Sequence, residues 1–412
     1  MTRVKRVSAV AEETPGDGAG QDLDPRLLSS LCPQNLLSFG PGTAPLLLTS
    51  LNVLVGPNGS GKSNFLEVLA LLRSSATDLR SVLSTGGGVL EWIWKGKPSA
   101  PASVVAVARN PRWAQPLRHV IALRAEKQAF RLLDERIENE KPDEGKDEPY
   151  FYYRFQQGHP VINLVTGGPR QLTREVIDPD LPILAQRRDP DSYPEITYLA
   201  ETYPKIRLYR EWAFGRNTVF RVPQRADMRN AQLEEDFSNL GLVLNRLRRT
   251  PRTKAALLSH LKDLYEGLTD YDVSVEGGTV QVFFTEGDFT IPATRLSDGS
   301  LRYLCLLAIL CDPEPPPLIG IEEPELGLHP DLIPKIADLL VEASQRTQLI
   351  VTTHSDILID ALSERPECVV VCEKHEGQTT MRRLDRVELA EWLKTYRLGQ
   401  LWTRGQIGGT RW

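Results

Sequence analysis

No stretch of 18 consecutive apolar residues occurs in this chain of 412, and no apolar segment follows the basic start Arg3, Lys5 and Arg6. A membrane span and a secretory leader are therefore not expected. Cysteine is scarce and odd in number. Cys32, Cys305, Cys311, Cys368 and Cys372 show no C-x-x-C spacing, and four lie in or beside apolar segments. That usage fits buried, reduced thiols in a cytosolic protein rather than a disulfide framework. Positive charge is not in excess, since the formal net charge of −5 argues against a surface that binds polyanions all over. Sustained heptads are missing too, so long coiled-coil arms are excluded. No nuclease signature is evident.

What the chain does have is enough apolar material, 41% against 25% charged residues, for one large or two moderate domains. Its densest pattern is Gly56-Pro57-Asn58-Gly59-Ser60-Gly61-Lys62-Ser63, placed between the apolar run Leu51 to Val55 and a helix-like segment Asn64 to Leu72. Strand, glycine loop and helix in that order form a phosphate cradle. The glycines let successive N–H groups turn inward, and the helix start adds free donors and a positive dipole end. Lys62 would reach the β- and γ-phosphates, and the Ser63 hydroxyl would ligate Mg²⁺. A plain glycine-rich turn would not need Lys62 and Ser63.

Further on, Ser297-Asp298-Gly299-Ser300 opens the apolar helical run Leu301 to Leu310 and makes a second anion-compatible helix start. Leu318 to Ile321 then reads as a buried parallel strand ending in Glu322-Glu323. Two carboxylates there are costly unless they serve a cation or a reaction. Glu322 would hold Mg²⁺ directly or through water, and Glu323 would orient or deprotonate an attacking water. The alternative is capping of the helix that begins near Pro330. A last buried strand, Leu349 to Thr353, ends in His354-Ser355, which places a histidine where it could sense the γ-phosphate.

Gly56 to Ser63, Leu296 to Ser300, Ile319 to Glu323, Glu325 to Pro330 and Thr353 to Ser355 together resemble the Walker A, signature, Walker B, D-loop and H-loop of ABC-type P-loop ATPases. Within these the chain most resembles the compact RecF/SMC-like branch, often labelled AAA family ATPases. The opening segment (Asn35 to Phe39 with Leu46 to Val55) and the end (Leu398 to Trp402, then Gly408 to Trp412) resemble that branch as well. Departures are the Leu-Ser-Asp-Gly-Ser signature and Glu322 in place of aspartate. No Q-loop glutamine is placed; Gln115 and Gln128 are the candidates.

The resemblance implies an α/β fold: an ABC-ATPase head with a mixed N-terminal lobe, a central largely parallel sheet flanked by helices, and an inserted subdomain between Walker A and signature. The expected division is a flexible tail at 1–25, an N-terminal ATPase lobe at 26–125, an inserted lid or interaction region at 126–235 and a C-terminal ATPase lobe at 236–412. It also implies that Asn64 and the loop residues bind ATP, that Glu323, His354 and Lys62 carry its hydrolysis, and that Ser63 and Glu322 hold Mg²⁺. Ser297, Asp298, Gly299 and Ser300 would cap the nucleotide of a partner copy. Two ATPs would then lie inside a head-to-tail homodimer or a higher even oligomer.

The outward role is read two ways. One is a clamp on duplex DNA, in repair or in defence against phage and other foreign DNA. The other is a regulatory scaffold that restrains or activates a separate effector protein, such as a TOPRIM-like nuclease. Arg246, Arg248, Arg249, Arg252 and Lys254 are a cluster that could grip a phosphate backbone or form a solvated helix face. The charged stretch Asp134 to Glu148 reads as a solvent loop, and Trp92, Trp94 and Trp113 as core of the first lobe. No membrane partner is expected.

Overall fold

Apolar runs without alternation become strands when both of their faces are covered, and four such runs build the centre of this molecule. The computed structural model describes residues 24–409 except 98, 111–114, 128, 157–158, 165–167, 172–176, 214, 216–217, 219–220 and 265–266. Expectations for residues 1–23, Trp113, Gln128 and residues 410–412 fall outside these. In the strand Leu51–Val55, Leu51, Val53 and Val55 enter one hydrophobic core and Leu54 enters a second. Leu349 and Val351 of Gln348–Thr353 join the first core while Ile350 joins the other. Leu318–Glu322 and Val369–His375 divide in the same way.

These strands make a six-stranded sheet. Its order is Arg207–Tyr209, Leu318–Glu322, Gln348–Thr353, Leu51–Val55, Val369–His375 and Gln378–Arg383. The first five run parallel and the last is antiparallel. The helix Lys62–Ser74 covers one face through Phe65, Leu66 and Leu69, and the helices Asp298–Leu310 and Ile333–Ala343 cover the other. At Gly320 a Cβ would stand 2.6 Å from Leu208 and 3.0 Å from Leu66, so glycine lets strand and helix close on each other.

The second sheet is antiparallel and eight-stranded, running in the order Leu46–Leu47, Leu28–Gln34, Ala102–Ala108, Leu117–Glu126, Ala129–Asn139, Phe151–Gln156, His159–Leu164 and Gly168–Gln171. Here the solvent-loop expectation needs correction, because its first residues, 134–139, lie in a strand in which Glu135 and Glu138 are 0% and 1% exposed. Both carboxylates are partnered, which is what makes their burial tolerable. Arg118 Nε donates to Glu138 at 2.8 Å, and the amide of Ile183 donates to Glu135 at 2.9 Å. Trp92 is buried as expected, while Trp94 is only partly so and donates to the Gly377 carbonyl.

The boundary expected at 125/126 falls at the end of the strand Leu117–Glu126, which pairs with Ala129–Asn139 beyond it, and region 126–235 also supplies Arg207–Tyr209 to the central sheet. A smaller antiparallel sheet, built on Leu268–Glu276 and Thr279–Glu286, precedes the helix Asp298–Leu310. Among the described residues no helix is longer than the 14 residues of Pro251–Leu264, and none is long and apolar enough to cross a membrane.

Candidate nucleotide site

Two of the loop glycines are demanded by close approach. A Cβ on Gly56 would lie 2.2 Å from the Cys372 carbonyl oxygen. One on Gly61, whose φ is +100°, would lie 2.1 Å from Thr379 Oγ1. Thr379 donates to the Ser60 carbonyl at 3.0 Å and sits 2.7 Å from Ser38 Oγ, which accepts from Asn64 at 2.8 Å. Ser38 and Thr379 thus brace the loop from behind. Pro57 is partly covered, and Asn58 and Gly59 are exposed at the outer turn. Ser60 Oγ is buried without a hydrogen-bond partner.

Lys62 is 5% exposed, and its ammonium donates to the carbonyls of Gly56 at 2.8 Å and Pro57 at 3.1 Å. Burial pulls its pKa below the usual lysine value, opposed by the Cys372 thiol and the carboxylates of Glu323, Glu322 and Glu325. A desolvated cation bound only to carbonyls, beside an orphaned hydroxyl in a glycine cradle, suits an incoming polyanion. The loop residues therefore fit a triphosphate.

The strand Leu318–Glu322 delivers Glu322 to the first turn of the helix Lys62–Ser74, where Ser63 Oγ donates to Glu322 Oε1. Glu322 Oε2 accepts from Arg210 Nε at 3.1 Å. Hydroxyl and carboxylate oxygens are the donors a hard divalent ion takes. Among the described residues no group of three His, Cys, Asp or Glu gathers to hold a metal, so an ion here would complete its shell with phosphate oxygens and water.

Glu323 has φ +47°, a left-handed conformation uncommon outside glycine. The neighbouring strand holds it, since its amide donates to the Thr352 carbonyl at 3.0 Å. His354 Nε2 lies 3.4 Å from Glu323 Oε1. Burial, then the charges of Glu325 and Glu322, raise the Glu323 pKa. Glu325 orients the histidine turn by accepting from Thr353 Oγ1 at 2.7 Å and from the His354 amide at 3.0 Å.

The structure thus gathers Gly56 to Asn64, Glu322, Glu323 and His354 about one strand-end cleft. The four-residue group at Ser297 bonds elsewhere. Ser297 Oγ caps its own helix by accepting the Ser300 amide at 3.1 Å and lies 2.8 Å from Ser300 Oγ. Asp298 pairs with Arg221 at 2.6 Å, and a Cβ on Gly299 would meet the Gly327 carbonyl at 2.8 Å. Ser297 and Asp298 are exposed. Gln115 bonds Asp143 and the Lys141 amide in the antiparallel lobe.

Sequence reasoning missed Arg210, Trp212, Arg302 and Thr379, and named Glu325 only as the first residue of the D-loop-like segment. Trp212 Nε1 donates to the Glu322 carbonyl at 2.8 Å. Arg302 donates to the Glu323 carbonyl at 3.1 Å and stacks 4.4 Å over the Trp212 ring. Burial pushes Arg302 down to about 10. The one available signal was Arg210 and Trp212 just after the short strand-like segment Ile206 to Tyr209. In the basic cluster, Arg246 pairs with Asp312 at 2.5 Å, Lys254 with Asp270 at 2.8 Å, and Arg248 with Asp272.

A family described as "AAA domain, putative AbiEii toxin, Type IV TA system" matches residues 51–360. No curated protein matches the sequence. Among solved structures, an Smc head bound to the C-winged helix domain of ScpA is 16% identical with a TM-score of 0.55, covering 89% of this chain and 99% of that one. An Smc head with an extended coiled coil, bound to the C-terminal domain of ScpA and derived from Pyrococcus furiosus, is 12% identical with a TM-score of 0.54, covering 89% and 98%. The fold likeness spans both lobes, and the family match runs from the strand before the glycine loop into the helix Asp356–Ala361 that follows His354. The chain belongs to this AAA-domain family, and its fold is similar to that of Smc heads.

Proposed function

We propose that this chain binds and hydrolyses Mg-ATP between two copies engaged head to tail, and that engagement and release govern a separate effector protein. The observation that carries the reading is the contact of Ser63 with Glu322 at the mouth of a glycine loop whose lysine is buried against bare carbonyls. Lys62 trades the Gly56 and Pro57 carbonyls for phosphate oxygens, and the loop amides with Ser60 Oγ complete the cradle. Ser63 and Glu322 would hold Mg²⁺, which would supply positive charge against the negative charge that develops on the phosphates. Glu323 orients the attacking water and takes its proton, with His354 positioned beside it. Ser297 to Ser300 cap the nucleotide of the partner copy. In this reading residues 26–125 and 236–412, completed in the central sheet by Arg207–Tyr209, supply the ATPase halves, and the rest of 126–235 supplies the surface presented to the effector.

The pairing of Arg246, Arg248 and Lys254 with carboxylates favours an effector-governing role over a clamp on duplex DNA, because a paired cation releases little counterion on binding phosphate. A family described by a toxin of a Type IV TA system suits a chain that works through a second gene product, and a TOPRIM-like nuclease is one such effector. Two measurements test this. Lys62→Ala is expected to lose binding of a fluorescent ATP analogue by about a hundredfold or more, the size of a lost buried charge-assisted contact; unchanged binding contradicts the site. Retention on immobilised duplex DNA is expected to be weak at low salt with or without ATP. Strong retention that Arg249→Gln and Arg252→Gln abolish would restore the clamp.

A further inference from the structure

Glu322 is committed on both oxygens. One accepts from Ser63, and the other accepts from Arg210, a residue that sequence motifs do not single out. Parallel pairing sets the second contact. Tyr209 lies opposite Ile321, so the next residue along, Arg210, comes beside Glu322. The same guanidinium reaches Glu67 on the glycine-loop helix at 2.7 Å, so its planar fork spans two carboxylates. Arg210 also lines a cavity of about 850 Å³ together with Glu67, Arg73, Glu211, Glu235 and Glu322.

We propose that Arg210 is a resident cation of the metal position, holding Glu322 while the site is empty and withdrawing onto Glu67 and into the adjoining cavity when a divalent ion takes Glu322. The inference rests on the reading of Glu322 as the metal acid. A carboxylate that has taken a divalent ion carries net positive charge with it, so a guanidinium on its other oxygen is repelled more than it is held. One must leave. Glu67 gives the arginine a second anchor, so its withdrawal does not strand a half-buried charge. Trp212 and Arg302 sit where this exchange can be read, because the indole holds the Glu322 carbonyl and the stacked guanidinium holds that of Glu323.

Arg210 is in these terms a positioning residue that sets how readily the site takes its ion. Apparent affinity for the metal would then report the exchange and not the carboxylate alone. The geometry also satisfies Glu322 without an ion: its two oxygens already have a hydroxyl and a guanidinium.

The test is Mn²⁺ binding to the full chain with a non-hydrolysable ATP analogue, read from the free-Mn²⁺ electron paramagnetic resonance signal. Arg210→Gln is expected to bind Mn²⁺ about fivefold or more tightly, the size of a removed half-buried ion pair. Glu67→Gln is expected to weaken binding, and that effect is expected to vanish in the Arg210→Gln background, because Glu67 acts only by receiving the arginine. Equal affinity of Arg210→Gln and the unaltered chain, or additive effects of the two substitutions, overturns the proposal. If Arg210→Gln fails to fold, Arg210→Lys replaces it, since lysine cannot span both carboxylates; tighter Mn²⁺ binding is again expected and unchanged binding refutes. Glu322→Gln separates the two layers. Loss of the Mn²⁺ site in that variant supports the metal acid whatever Arg210 does, and full retention removes the metal acid and the proposal with it.

Discussion

Gly61 and Lys62 divide the loop between geometry and charge. Gly61 accepts a left-handed φ and a threonine hydroxyl where a side chain would start, so the loop can lie flat on Thr379. Gly61→Ala is expected to cost about 1–3 kcal/mol through strain at that φ and displacement of Thr379, read as a lower midpoint in thermal unfolding together with weaker nucleotide binding. An unchanged midpoint would show that Thr379 moves aside freely. Lys62 needs no help from tertiary structure to be recognised, because its place after Gly61 at a helix start is a local pattern. Arg210 could not be recognised that way. Its meaning comes from lying beside Glu322, and that neighbour is 112 residues away.

The central strands were legible because each is a short apolar run whose two faces feed two cores, and the helices Lys62–Ser74 and Asp298–Leu310 were legible from their start residues. Ala129–Asn139 was not, since its charges are satisfied by Arg118 and by a backbone amide that approach only after folding. The bracing of the glycine loop was likewise hidden. Gln378–Arg383 supplies Thr379, and the segment after the helix Leu398–Thr403 brings Gly409 so near that its added Cβ would lie 3.6 Å from Gly56 Cα. Glu373 fastens that segment by accepting the Gly409 amide at 2.9 Å, and Trp402 Nε1 donates to the Gly409 carbonyl at 3.0 Å.

That amide holds Glu373 below the usual carboxylate range. The folded value is depressed, so the contribution of this contact is present above the ordinary glutamate pKa and is lost as pH falls through the folded one. Trp402 fluorescence is therefore expected to change in that acid window, and the change is expected to disappear in Glu373→Gln. A transition that persists unaltered in Glu373→Gln would assign the acid sensitivity to another group.

Viewed whole, the chain presents a strand-end cleft with Lys62, Glu322 and Glu323 in one place and an exposed helix start at Ser297 and Asp298 whose hydrogen bonds go to its own residues and to Arg221. The proposed account joins the two across a pair of molecules. Ser297→Arg would set bulk and charge against a partner's phosphate while leaving the cleft of its own chain intact, so nucleotide binding is expected to stay within about threefold while turnover collapses. Equal turnover would mean that this helix start is not used across the pair. The central claim, that nucleotide joins two copies, is tested most directly by sedimentation of Glu323→Gln with and without Mg-ATP. The account predicts a monomer without nucleotide and a dimer with it, with Ser297→Arg in the same chain returning the monomer; a species unchanged by Mg-ATP under conditions where nucleotide is bound would contradict it.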